Sequence, residues 1–281
     1  MWHDTLVEIT GLLEAVDDTE LLRRWHQFVK KTVSESQQPY HLDRIIAEVN
    51  ELRQTRPPSS IAILDHGCGP ASTLIWLAAL GYTNVYGVDI GTDFSAHNRL
   101  ARLCWGRKDN AFASFDGAHL PYQDAQFDLV ISQQVLEHVS DACFEAYYRE
   151  EGRVLRPGGR ALHQVPHRLA PYDSHTRTWG LHLLPTPLRT LAMQVRGSEW
   201  PDHLHLRWPW IHYRMVRRYI GSPVNLSAER LQQLKQFSYY DGPVELRWLL
   251  ARLCGLPGIG GLISTLATSV VLLETRTVRR T

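Results

Sequence analysis

The chain has 281 residues, 44% of them hydrophobic, which is enough for one large domain or one domain with an added cap. Its 30 basic and 29 acidic side chains leave a net charge of +1. The basic residues form no stripe or tail, so no nucleic-acid partner is expected.

The four cysteines, Cys68, Cys104, Cys143 and Cys254, include no C-x-x-C pair, which excludes a zinc ribbon and a redox pair of that kind. The start, MWHDTLVEIT, has no basic segment leading into an apolar core and is not read as a signal peptide. A cytoplasmic protein with free thiols is the expectation. Residues 254–273 carry no charge over a length that could span a bilayer. Gly255, Pro257, Gly258, Gly260 and Gly261 break the first half of that stretch, and TSVVLLETRT at its end reads as a buried strand. No integral membrane span is expected.

The chain opens with helices. In TELLRRWHQFVKKT, the side chains Leu21, Leu22, Trp25, Phe28 and Val29 share one helical face, as Leu42, Ile45, Ile46 and Val49 do in YHLDRIIAEVNELRQ. Pro57 and Pro58 end this run. From Ser59 the period changes. SSIAILD is a short apolar strand, STLIWLAALG a helix closed by Gly81, and NVYGVDI a second strand carrying Asp89 near its end. SAHNRLARLCW is helical, AFASFD is a strand ending in Asp116, and FDLVIS is a strand after a polar loop. DACFEAYYREEGRVL is a helix, RPGG a turn and RALHQV a fifth strand.

This alternation predicts an α/β fold with a doubly wound, mainly parallel sheet. Ligands of such sheets sit at the carboxyl ends of the strands, where Asp65, Asp89, Asp116 and Ser132 fall. Four regions are expected: an N-terminal helical layer or lid at 1–58, a nucleotide-type binding core at 59–165, a His- and Trp-rich cap at 166–265, and a terminal strand at 266–281 returning to the sheet edge.

The first strand runs into Gly67-Cys68-Gly69-Pro70 and then a helix. Glycines permit a tight turn and a close approach of ligand to backbone, and the helix N-terminus offers unpaired N–H groups. A dinucleotide fingerprint needs a third glycine where Ser72 stands, and Asp65 before the glycines is foreign to it, so that match is partial.

ILDHGCGPA more closely resembles motif I of the class I S-adenosylmethionine-dependent methyltransferases, an apolar pair, an acid and Gly-Cys-Gly-x-Gly. VYGVDIG is similar to that family's second motif. FDGAHLPYQDAQFDLVISQQVLEHV resembles the stretch of its third and fourth motifs, and EGRVLRPGGRALHQV the helix, turn and strand that follow. The resemblance covers residues 61–165, and the sheet it implies is Rossmann-like. Ala71 departs from it by replacing the last glycine, which predicts a slightly tighter pocket without loss of binding.

The resemblance implies S-adenosylmethionine as cofactor, held by Asp65, Gly67, Cys68, Gly69, Asp89, Ile90, Asp116, Gly117, Ala118 and Gln133. Asp89 would accept the ribose hydroxyls, unless it is a helix cap. Asp116 would face the adenine amino group with Gly117 and Ala118 beside the ring, unless it is a turn aspartate. Asp65 would act through the loop amides, a role close to that of a structural carboxylate. Gln133 would touch the methionine moiety or the acceptor. Cys68 is not read as a nucleophile, because no base is placed beside it.

Methyl transfer needs an aligned acceptor and exclusion of water, and an oxygen acceptor also needs a base. His138 in LEHV and His167 in VPHR are the candidates, each also readable as structural. His203 and His205 would share a face on a strand, but no third ligand at a fixed spacing accompanies them and no metal is expected. Trp179, Trp200, Trp208 and Trp210 could line an apolar acceptor pocket in the cap. Tyr40 could reach the cofactor from the helical layer. No Asn/Asp-Pro-Pro-aromatic motif follows the fourth strand, which disfavours base methylation of nucleic acids. A small-molecule acceptor, at an oxygen of a metabolite, sugar or natural product, is the leading expectation. A non-catalytic binding module of the same fold and a nicotinamide-dependent oxidoreductase are the alternatives.

Overall fold

A computed structural model gives the fold and describes residues 2–14, 16–34, 42–169, 172–173, 175–227, 249, 252–253, 256–260 and 273–280. Tyr40, Cys254 and the expected strand residues 268–272 lie outside the described residues. The chain divides into two compact units: Met1–Ser132 with Arg153–Arg160 and Thr281, and Gln133–Gly152 with Ala161–Arg280.

The first unit begins with α1 (Trp2–Leu12), α2 (Asp18–Ser34) and α3 (Asp43–Arg53). Leu21, Trp25 and Phe28 of α2 and Ile45, Ile46 and Val49 of α3 are buried, so both amphipathic stripes face a core as the periodicity predicts. Then come β1 (Ile63–His66), α4 (Ser72–Ala79), β2 (Val85–Ile90), α5 (Ser95–Trp105), β3 (Phe112–Phe115) and β4 (Phe127–Gln133). α2 packs on α4 and α5, with the Trp25 and Trp105 rings 6.1 Å apart. Arg99 of α5 ties this layer down, donating to Asp18 and to the Val16 carbonyl.

β1 is parallel to β2 on one side and to β4 on the other, with Asp65 opposite Gly87 and Ile131. All four β1 residues are buried, as a strand covered on both faces must be. With β5 (Leu155–Val165), β8 (Pro223–Asn225) and β9 (Leu273–Val278), the strand order is β3-β2-β1-β4-β5-β9-β8. The chain thus winds outward from β1 in both directions, and the carboxyl ends of β1 and β4 mark the switch point where such sheets bind ligands. The polar loop between β3 and β4 is pinned by Arg153, whose guanidinium donates to the carbonyls of Leu120 and Tyr122 and to Asp124.

The second unit holds most of α6 (Asp141–Val154), the hairpin β6 (Tyr172–Asp173) and β7 (Thr178–Trp179), α7 (Thr186–Val195), α8 (Pro209–Tyr219), β8 (Pro223–Asn225) and β9 (Leu273–Val278). One chain of buried polar groups is paired inside it. Tyr148 Oη meets His212 Nδ1 at 2.7 Å, and His212 Nε2 meets Thr275 Oγ1 at 2.9 Å. No helix among the described residues is long and apolar enough to cross a membrane.

Three expectations need correction. The RPGG segment is not a separate turn: β5 spans Leu155–Val165 and absorbs it. Gly158 takes φ +76°, and Gly159 lies so close to the Arg156 and Phe127 carbonyls that a Cβ would sit 2.8 and 3.1 Å from them. Residues 201–208 form no strand, so His203 and His205 do not share a strand face. The terminal strand β9 is not at the sheet edge, since β8 pairs antiparallel outside it. Pro223 begins β8, and proline, lacking an N–H, is tolerated on an edge strand.

Candidate functional site

The glycine loop of the first unit is tied to β2 by two bonds: Gly67 and Cys68 both donate their N–H to the Val88 carbonyl at 2.9 Å. A third bond, Ala71 N–H to the Cys68 carbonyl at 2.8 Å, closes the loop before α4. Gly67, Gly69 and Ala71 have φ of +86°, +51° and +58°. Ala71, in the place of the motif's last glycine, is thus left-handed, a conformation that glycine adopts without strain. Ala71 is fully buried in it. A Cβ at Gly69 would meet no atom within 4 Å, so the backbone there is open to a ligand.

Asp89, half-buried in β2, bridges strand and loop. Its Oδ2 accepts the Gly69 N–H at 2.6 Å and its Oδ1 accepts the Ile90 N–H at 2.7 Å. Asp65 is buried in β1, and burial with the nearby Asp89 carboxylate raises its pKa to about 7. Cys68 is buried, and burial with the Asp65 and Asp89 charges pushes its thiol well above the usual range. A protonated thiol is a poor nucleophile.

Asp116 caps the turn after β3. Its Oδ1 accepts the N–H groups of Ala118 at 2.8 Å and His119 at 2.7 Å, and its Oδ2 pairs with His119 Nδ1 at 2.9 Å. These bonds hold its pKa down at about 2. Gly117 has φ +82°, and a Cβ there would touch Ile90 Cγ2 at 3.6 Å. Ile90 is 62% exposed, an apolar side chain left open beside the Asp116–Ala118 turn.

Gln133 ends β4 and is half-buried. The segment after it, in the second unit, carries Glu137 and His138. The His138 ring lies 5.5 Å from that of His175 and 5.4 Å from that of His203. Burial and the neighbouring histidines lower the His138 pKa. Glu137 is buried under this group, and its pKa rises to about 7, mainly through burial. Arg207 holds the segment, donating to the carbonyls of Leu136 at 2.8 Å and Val139 at 2.7 Å.

His167 is 2% exposed, and its Nδ1 accepts the Leu169 N–H at 3.2 Å. Burial, with His182 nearby, lowers its pKa to about 4. Beside Glu137, His167 and His205 is a crevice of about 10 Å³, room for a single water. Of the four cap tryptophans only Trp208 lines it. Trp208 stacks on Trp210 at 4.8 Å, while Trp200 lies under the Arg189 guanidinium and Trp179 is exposed.

Sequence reasoning brought out His138 but missed Glu137, its neighbour in LEHV, and His175 in the cap segment PYDSH. The available signal was the pairing of an acid with a histidine at a strand's carboxyl end.

Residues 64–163 match the family described as Methyltransferase domain. This segment is a class I S-adenosylmethionine-dependent methyltransferase domain. The domain includes Asp65, the glycine loop, Asp89, Asp116, Gln133 and His138, whereas His167 and His175 lie beyond it. Methyltransferase GfsG of Streptomyces halstedii is 34% identical to the chain over 99 residues, 35% of this chain and 35% of that protein. The 27-O-demethylrifamycin SV methyltransferase of Amycolatopsis mediterranei is 34% identical over 100 residues, 35% of this chain and 36% of that protein. The chain spans about a third of the length of these relatives. A solved S-adenosylmethionine-dependent methyltransferase from Mesorhizobium loti aligns over 83% of this chain and 98% of that one, at 21% identity and a TM-score of 0.43.

Proposed function

We propose that this chain transfers the methyl group of S-adenosylmethionine to an oxygen of a small-molecule acceptor. The observation that carries the proposal is the glycine loop of the methyltransferase domain, open at Gly69 and bonded to the acid at the end of β2. The residues present fit the cofactor. Asp89 keeps acceptor capacity for ribose hydroxyls beyond the two N–H groups it already takes. The exposed face of Ile90 beside Gly117 suits a flat apolar ring, and Asp116 next to it suits an exocyclic amino group. Gly67, Cys68 and Gly69 offer close backbone approach, with the buried Asp65 carboxyl at the end of the strand before them. Gln133 is the candidate for the methionine moiety or the acceptor.

Bound there, the cofactor supplies a sulfonium methyl already activated for displacement, so the chain must mainly position the acceptor and exclude water. A demethylrifamycin is named as the substrate of one relative, which favours a hydroxylated natural product or similar metabolite here. Of the two histidines proposed as bases, His167 is buried with one nitrogen already accepting a bond. The group around His138 is the more accessible source of bases. The nicotinamide reading has no support beside the methyltransferase match.

Calorimetric titration with S-adenosylmethionine and S-adenosylhomocysteine, on the wild type and Asp89→Ala, tests the cofactor site. Micromolar binding lost in the variant supports it, and no binding by a cooperatively melting wild type overturns it. Transfer of labelled methyl to a panel of hydroxylated metabolites then tests the acceptor. Labelling confined to amines would replace oxygen by nitrogen.

A further inference from the structure

Glu137 is 1% exposed, and neither of its carboxylate oxygens has a hydrogen-bond partner among the described residues. A buried carboxylate is normally paired or bonded to several donors. Two imidazole nitrogens face it instead. His138 Nε2 lies 3.9 Å and His175 Nε2 lies 3.8 Å from Glu137 Oε1. One donor atom from each residue falls within a sphere where all are within 4.8 Å of one another.

These separations are too long for hydrogen bonds, and a charged pair in direct contact would close to about 2.8 Å. They are near the spacing of two ligands across an ion. Bonds of about 2.0–2.1 Å in a tetrahedral arrangement place ligand atoms about 3.4 Å apart, so each ring would move in by about half an ångström. Two imidazoles and one carboxylate are a donor set suited to borderline divalent ions and not to magnesium or calcium, which take oxygen ligands.

A second, independent feature orients the site. Asp173 is 4% exposed, and its Oδ1 lies 3.1 Å from His175 Nδ1. The Thr176 N–H fixes the other oxygen at 3.0 Å. In the neutral ring, a carboxylate accepting from Nδ1–H leaves a lone pair on Nε2, the nitrogen nearer Glu137, which is how outer carboxylates set a metal-binding histidine. Arg207, bonded to the carbonyls on both sides of Glu137 and His138, holds that pair in place. His203, with its ring 5.4 Å from that of His138, is a further imidazole beside the group.

We propose that Glu137, His138 and His175 bind a divalent transition-metal ion, with Asp173 as the positioning residue behind His175. With the ion bound, His138 is a ligand and not a free base. The remaining coordination positions suit an oxygen ligand, and a hydroxyl bound there gives up its proton to water more readily. That role rests on the methyl-transfer reading above; metal binding itself does not.

The test uses the full chain, stripped with a chelator and titrated with Co²⁺ and with Zn²⁺. The expected result is one Co²⁺ per chain with visible absorption, displaced by Zn²⁺ and not by Mg²⁺. Glu137→Gln and His175→Ala should lose this uptake, and Asp173→Asn should weaken it about 10- to 100-fold. Melting and S-adenosylmethionine titration are run on every sample as separate readouts. A wild type that melts cooperatively and binds the cofactor but takes up no Co²⁺ or Zn²⁺ overturns the metal site. Uptake equal to wild type in both ligand variants also overturns it. Stoichiometric Co²⁺ uptake, lost in those variants, by a protein that does not bind S-adenosylmethionine supports the metal site and overturns the methyl-transfer reading alone.

Discussion

Asp89 Oδ2 accepts the Gly69 N–H at 2.6 Å, so the acid near the end of β2 also fixes the glycine loop that follows β1. The two roles can be separated. Asp89→Ala leaves the Gly69 N–H without its partner, at a cost of about 1–3 kcal/mol in stability. It also removes the acceptor proposed for the ribose, and a hydrogen bond to a charged group contributes about 1.5–3 kcal/mol, roughly 10- to 150-fold in affinity. Asp116→Ala, at an exposed turn, should lower cofactor affinity with little change in urea midpoint. Equal destabilisation by both, with affinity unchanged in both, would remove these acids from the site.

Ala71 sets two opposing terms against each other. Its left-handed backbone costs about 1–2 kcal/mol for a residue with a Cβ. Replacing it by glycine relieves that cost but removes a buried methyl, about 0.8 kcal/mol, and frees the unfolded chain by about 0.4–1 kcal/mol. Ala71→Gly should therefore fall within about 1 kcal/mol of wild type in urea unfolding, with cofactor affinity retained. A loss above about 2 kcal/mol would mean that packing of the methyl outweighs the strain.

Asp65 should contribute to stability with the sign opposite to that of an ion-paired carboxylate. Its pKa is raised to about 7 in the folded chain, against an ordinary value of 3.8. Between these values the folded state binds the extra proton, so the contribution of Asp65 to stability is full below about pH 4 and is lost as pH rises through 7. The fall is on the order of a few kcal/mol. Asp65→Asn cannot titrate, so its stability relative to wild type should rise between pH 5 and pH 8 in urea melts without cofactor. A difference that does not change across that range would mean that Asp65 stays ionised in the fold.

Much of the first unit was legible because its elements are governed by local rules. The stripes of α2 and α3, the Gly81 cap and the apolar β1 each follow from periodicity or from one backbone conformation. The glycine loop was legible for the same reason. The Glu137 group was not, because His175 reaches it only through the β6–β7 hairpin, and no spacing encodes that approach. The spacing of His203 and His205 misled, since a two-residue period has meaning only in a strand and residues 201–208 are not one. The absorbed turn in β5 depended on backbone clearances around Gly159 that no local pattern shows.

Gly87 leaves the space that Cys68 fills. A Cβ at Gly87 would lie 2.7 Å from Phe112 Cδ1, 2.8 Å from Cys68 Sγ and 3.0 Å from Leu74 Cδ1. Overpacking of this kind costs about 1–3 kcal/mol, and Gly87→Ala should lower stability by that amount. Cys68→Ala removes one of the three colliding atoms, so the double variant should recover part of the loss and give a favourable coupling in a double-mutant cycle. The Phe112 collision remains, and recovery should be incomplete. Cys68→Ala alone should keep methyl transfer, because a buried, protonated thiol next to Gly87 serves packing and not attack. Loss of transfer with the cofactor still bound would return Cys68 to the chemistry, and strictly additive stabilities would remove it from the space beside Gly87.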